Sequence, residues 1–252
     1  MSTPDKQLNP LCVGLLAPVE LQKRGFLKRQ IFTDLANRAF EPMPEGIKQI
    51  QPWCRWQGLS QYLDCLAFAD RSAKEIPKGS ALNLEHVTPG RFYSAGIIFF
   101  AHALVDNVAV WLCEAMSLSV AGGDRHFLSS RFKKELTKTQ PAAAEELAKH
   151  DAFLREVNKY RQVWIHTISG GAIPLSDVSP FEHPDHAQKT LAVPIDPAIQ
   201  PHLENWMDRA KQCANQNNGQ CMYDIGDFTG RVFECATEFY CGWLRFALDH
   251  VS

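Results

Sequence analysis

The sequence predicts an all-α fold: a multi-helix bundle with a Pro-rich loop inserted after its most amphipathic helix. Three observations predict it. Phe153, Val157, Tyr160, Trp164 and Ile168 recur at spacings of four, three, four and four, which is the stripe of an amphipathic helix running through residues 145–171. Residues 91–118 are apolar nearly all round, as expected of a helix packed by neighbours on several sides. Strand-like alternation is sparse, and the irregular sequence gathers at 172–201, which holds Pro174, Pro180, Pro184, Pro194, Pro197 and Pro201. A loop that long inside a compact domain is usually functional or poorly ordered.

Taken in order, a single helical domain spans 1–252. Residues 1–57 form an irregular and short-helical N-terminal segment, with 11–19 docking on the core and a short helix over 24–39. Pro42, Pro44, Gly46 and Pro52 mark residues 41–53 as a connection. The core helices occupy 58–171. The first covers 59–73, with Leu63, Leu66, Phe68 and Ala69 inward; residues 77–90 are a loop ending on Thr88-Pro89-Gly90. After the apolar helix over 91–118, Gly122-Gly123-Asp124 is a turn. Residues 127–138 form a short basic helix whose core side is Phe127 and Phe132. Pro141 then opens the stripe helix, and Ser169-Gly170-Gly171 stops it. The Pro-rich loop carries a short strand at 189–193. The C-terminal segment, 202–252, supplies helices at 202–215 and 227–249, separated by a polar turn at 215–220.

With 252 residues and 45% hydrophobic content, the chain can bury a sizeable core. Its formal charge of −2 provides no global field for nucleic acid. The distribution is uneven: residues 125–161 carry nine Lys/Arg against five Asp/Glu, which allows a local phosphate-binding face. The eight cysteines are scattered without a CxxC and read as buried free thiols. No basic, apolar leader opens the sequence, so a reduced cytoplasmic protein is expected. The apolar run 96–113 is interrupted by His102, Asp106 and Asn107 and reads as a core helix, with no membrane association.

The chemistry concentrates at the end of the stripe helix. At about 100° per residue, Arg161 falls inside the apolar sector, between the directions of Ile168 and Leu154. A guanidinium there needs a carboxylate, a dimer cleft or a bound phosphate. His166 follows five residues later. Imidazole titrates near neutrality and suits proton transfer; a planar guanidinium fork suits a phosphate. The two positions lie about 140° apart on a continuous helix, so they converge only if the last turn loosens or a partner supplies one of them.

Tyr160-Arg161-Gln162-Val163-Trp164-Ile165-His166, at the end of a long helix in an all-α chain, resembles the Arg-x4-6-His signature of the HEPN superfamily. Gln162 stands where that family often has Asn. A second match, Arg245 and His250, has no helix after it. The resemblance is sharp over residues 150–171. It implies metal-independent RNA cleavage without a cofactor, in which Arg161 holds the scissile phosphate and His166 transfers a proton. It also implies a homodimer in which two motifs form one composite site, and a toxin, stress or defence setting with a cognate antitoxin or regulatory protein. A polar residue from a neighbouring helix often joins such a site. Asp106 is the first candidate for its apolar surroundings, ahead of Asn107 and Glu114. Gln162, Lys159, Lys133 and Lys134 are candidate RNA contacts.

Other readings remain beside this one. A non-catalytic module of the same fold would bind a nucleotide, an RNA or a protein and tolerates Arg161 and His166 apart. A purely structural bundle would bury Arg161 against a carboxylate and leave His166 at the helix end. His102 and Asp106, four apart, read as a satisfied pair in the core rather than as metal ligands, and His183-Pro184-Asp185-His186 reads as surface loop. No phosphate loop, Gly-x-Gly-x-x-Gly or Gly-x-Ser-x-Gly motif occurs.

Overall fold

The computed structural model describes residues 52–166, 191–194, 213–214 and 221–251. The expectations for residues 1–51, the Ser169-Gly170-Gly171 stop, most of the Pro-rich loop, the helix over 202–215 except 213–214, and the polar turn at 215–220 lie outside these. Five α-helices carry the described part: α1 (Pro52–Lys74), α2 (Val87–Ala115), α3 (Ser130–Thr139), α4 (Ala143–His166) and α5 (Ile225–His250). The predominance of helix matches the all-α expectation. A small antiparallel sheet is added to it, built from β1 (Ala192–Pro194), β2 (Cys213–Ala214) and β3 (Cys221–Asp224) in the order β1-β3-β2. Val193 faces Tyr223 and Cys213 faces Met222 in the two ladders. Pro194 sits on an edge strand, where a missing N–H is tolerated. Two expectations are corrected here. Cys213 and Ala214 are strand, not the end of a helix, because pairing with β3 supplies backbone partners that local sequence does not reveal. The strand in the Pro-rich segment falls at 192–194.

The helix boundaries also shift, for identifiable reasons. α2 begins at Val87, so Thr88-Pro89-Gly90 is its first turn and not a loop; proline there loses only an N–H that has no intrahelical acceptor. α2 ends at Ala115, three residues before the apolar pattern does. Leu118 N donates to Cys113 O at 2.9 Å and Ser117 N to Glu114 O at 3.3 Å. With Ser117 at φ 50°, this is the paired closure that usually employs glycine. The serine conceals the stop from a sequence reading. α3 starts one residue after Ser129, whose hydroxyl accepts from Phe132 N at 3.3 Å. At α5 the carboxylate of Asp224 accepts from Gly226 N at 2.9 Å and Asp227 N at 3.3 Å, and Lys78 reaches its other oxygen at 3.0 Å.

Ring contacts fix the helix directions. Trp56 at the start of α1 lies 4.6 Å from Trp111 near the end of α2, and Phe68 lies 6.2 Å from Tyr93, so these helices are antiparallel. Trp56 also meets Tyr240 of α5 at 5.7 Å. Further along, Thr229 of α5 donates to Asp70 of α1 at 3.2 Å, so α5 runs against α1 as well. Tyr160 meets Phe228 edge-on at 5.3 Å and Phe153 meets Phe239 at 6.0 Å, which sets α4 antiparallel to α5. A second aromatic cluster joins Phe127 to Phe132, Phe239 and Trp243 at 4.9–5.2 Å, so Phe127 and Phe132 serve the core as expected. Phe68, expected inward, is 51% exposed, because α2 and α5 cover the other sides of α1. α2, taken from Leu84, is long and apolar enough to cross a membrane, with mean hydropathy 1.7, and 56% of its most apolar window is buried in the fold.

A buried carboxyl stands out among the described residues. Glu156 of α4 is 1% exposed, and neither carboxyl oxygen has a hydrogen-bond partner among the described residues. Burial pushes its carboxyl up from 4.5 to about 8, against a smaller downward pull from Arg231. Below pH 4.5 both folded and unfolded chains are protonated and burial carries no ionisation penalty. From 4.5 to 8 the unfolded chain ionises first, so stability falls as pH rises, and above 8 the loss is complete. Glu156→Gln is therefore expected to equal wild type near pH 4 and to exceed it at pH 7 by on the order of 2–3 kcal/mol, measured by urea unfolding across pH. At the end of α2, Ser117→Gly relieves a left-handed backbone and should raise stability by up to ~1 kcal/mol in the same assay.

Candidate functional site

A cleft of about 420 Å³ opens between α2, α4 and the loop that joins α2 to α3. α2 presents His102, Val105, Asp106 and Val110 to it, since positions 102, 106 and 110 share one helical face. α4 presents Leu154, Val157, Asn158 and Arg161 on its own i, i+3, i+4, i+7 stripe. The loop closes one side. Its Gly122–Asp124 turn is a single 3-10 turn, followed by Arg125, His126 and Leu128 along the cleft. The two valines of α2, Leu128, Leu154 and Val157 thus make an apolar lining, and the polar groups converge on it.

Those polar groups are mostly guanidinium and imidazole side chains. Arg161 is half-buried on the wall, and among the described residues no carboxylate lies within ion-pair distance of it. Arg125 is held by its own loop, Nε donating to Val120 O at 3.3 Å. The cleft's one described carboxylate, Asp106, is engaged by His102, with Nδ1 to Oδ2 at 3.1 Å. A low-dielectric lining with two guanidinium groups and one occupied carboxylate favours an anion, because a half-buried cation gains most from a counter-charge that it does not already have. The apolar wall beside it is suited to a flat, weakly polar group.

Several expectations are thereby sorted. Arg161 and Asp106, distant in sequence, line the same cleft. Asp106 does so for a different reason from the one expected. Its side chain is 46% exposed, so it stands at the cleft wall and not in apolar surroundings. The His102–Asp106 pair is present, but at this wall and not in the core. Asn107 instead faces Tyr62 and Ala103 O, and Glu114 pairs with Arg55. Gln162 is exposed and Lys159 half-exposed on α4, outside the described lining. Lys133 is bound to Asp151 at 3.1 Å and Lys134 is exposed on α3; neither lines the cleft. The side chain of His166 lies outside the described residues. Its backbone is the last residue of α4, so the helix does not loosen before it, and positions 161 and 166 remain about 140° apart. Along one unbroken helix the two backbone positions of the motif therefore face different directions.

Arg125, His126 and Asn158 were not singled out by sequence. A signal for the first two existed: Gly122-Gly123-Asp124-Arg125-His126 is a short polar loop between two helices, the usual place for functional side chains. The other histidine match, Arg245 and His250, lines a separate groove with Glu146 and His150. There the His150 Nε2–Glu146 Oε1 bond of 3.0 Å and Lys149 at 3.2 Å hold the Glu146 carboxyl below its usual range. Among the described residues there is no group of three or more His, Cys, Asp or Glu placed to hold a metal ion. No family model matches the chain, and neither a curated protein nor a solved structure matches it.

If Arg161 serves a ligand and not the fold, replacing it should not weaken the fold. Arg161→Met is expected to change unfolding free energy by less than ~1 kcal/mol, in either direction, by chemical denaturation. A loss above roughly 3 kcal/mol would identify a broken buried ion pair instead.

Proposed function

We propose that this chain is an HEPN-like, metal-independent endoribonuclease whose phosphate site is the cleft at Arg161. The observation that carries the reading is the half-buried Arg161 on a cleft wall, without a carboxylate partner among the described residues. A structural role for that guanidinium calls for such a partner; a phosphate role calls for its absence. Arg125 in the same cleft adds a second cation for the non-bridging oxygens.

The reaction follows from RNA chemistry. A base takes the proton of a ribose 2′-hydroxyl, O2′ attacks the adjacent phosphorus, and the P–O5′ bond breaks. The products are a 2′,3′-cyclic phosphate and a 5′-hydroxyl. Charge accumulates on the phosphoryl oxygens at the transition state, where Arg161 and Arg125 act. The resemblance assigns the proton transfer to His166, supplied across a homodimer by a second copy of the chain. That arrangement answers the divergence of positions 161 and 166 on one unbroken helix.

The same divergence favours a second reading, a non-catalytic module that binds a nucleotide or RNA, because binding needs only the two arginines. Cleavage of total RNA in EDTA by the full chain distinguishes the two. The expected outcome is product ends that are 2′,3′-cyclic phosphates, with a loss of about 10²–10³ in kcat for Arg161→Ala. Binding that Arg161→Ala abolishes, with no cleavage by wild type, would establish the module instead.

A further inference from the structure

We infer that His102 and His126 are the acid–base pair of this cleft, with Asp106 as the positioning residue for His102. The inference rests on the ribonuclease reading of the Arg161 cleft and takes the place of the proton transfer that the resemblance gives to His166; both histidines lie outside the Arg-x4-His motif. His102 and His126 line the cleft that holds Arg161, and they come from elements other than α4. Nothing has to unwind for a substrate in that cleft to reach them. The charged and titratable groups that share it are Asp106 on the same helix as His102, Arg125 beside His126, and Arg161 across on α4.

The geometry assigns the roles. His102 Nδ1 lies 3.1 Å from Asp106 Oδ2, and the His102 side chain is only 14% exposed. A carboxylate at Nδ1 favours the tautomer with its proton there, which leaves Nε2 with a free lone pair. That is the state of a general base. His102 Nε2 takes the 2′-hydroxyl proton as the P–O2′ bond forms. His126, as imidazolium, gives its proton to O5′ as the P–O5′ bond breaks. One proton is gained and one lost, so the step balances without a metal or an oxidant. Asp106 does not touch the substrate; it holds the ring and stabilises the imidazolium that forms.

The test uses the full chain with two substrates, an RNA dinucleotide and uridine 3′-(4-nitrophenyl phosphate). The nitrophenolate of the second leaves without a proton, so it has no need of the acid. His126→Gln is expected to lose about 10²-fold or more on the dinucleotide and only a few-fold on the nitrophenyl ester. His102→Gln should lose about 10²-fold on both. Asp106→Asn should lower kcat roughly 10- to 100-fold with KM little changed. A misfolded variant fails equally on both substrates, so the selective behaviour of His126→Gln cannot come from unfolding. If both histidine variants retain wild-type rates on both substrates while His166→Gln loses them, this inference is overturned and the ribonuclease reading stands. If wild type cleaves neither substrate nor total RNA, both are overturned.

Discussion

The close approach of α5 to its neighbours is the constraint on which the rest of the fold depends. At its N-terminal end Gly226 and Gly230 lie against Lys74 of α1. A Cβ at Gly226 would meet Lys74 Cγ at 3.2 Å, and one at Gly230 would meet Lys74 Nζ at 3.1 Å. The space they leave admits a polar knot: Asp70, 1% exposed, accepts from Lys74 at 2.8 Å and from Thr229 at 3.2 Å. Near the other end Gly242 leaves room for Glu146 and His150 of α4, since a Cβ there would overlap the Glu146 carboxyl. Between these contacts α5 buries most of its length, including Phe233, Phe239, Tyr240 and Trp243. Close approach of backbones is what makes such large rings pack densely, and dense packing supplies most of the stabilisation.

Buried polar groups in this protein follow two regimes. At Asp70, a hydrogen bond from Thr229 and the Lys74 ammonium replace the water it gave up. Glu156 has no such replacement among the described residues, and desolvation outweighs the attraction of Arg231, so its carboxyl stays protonated to about pH 8. The same physics bears on Arg161, which cannot shed its charge. Arg161 has no carboxylate partner among the described residues, and its place on a cleft wall leaves it open to solvent or to an anion. Glu156 and Arg161 lie on one helix, α4, about a turn and a half apart.

The cleft itself exists because α2 stops early. The closure around Ser117 ends the helix and sends the chain through Gly122–Asp124 back toward α4. Phe127 then anchors the loop in the aromatic cluster. Arg125 and His126 are left at the cleft because Phe127 beside them is fixed in the core. Position, here, is set by an apolar neighbour.

Sequence by itself determined the helical character of the chain, the apolar breadth of α2, the amphipathic stripe of α4 and the prominence of Arg161, because each follows from periodicity and residue chemistry within about twenty residues. It also singled out Asp106, although the reason given for it did not hold. Tertiary structure decided the rest. The stop at Ser117 was hidden because a serine adopts a glycine-like conformation there. The strand at 213–214 was hidden because its hydrogen-bond partners lie in β3, and the exposed face of α1 because its neighbours choose which side is covered. The meeting of His102, His126 and Arg161 was hidden as well, since three local segments carry no record of which faces they will share. Local sequence sets what each segment can be; the packing of α2, α4 and the loop between α2 and α3 sets which side chains meet.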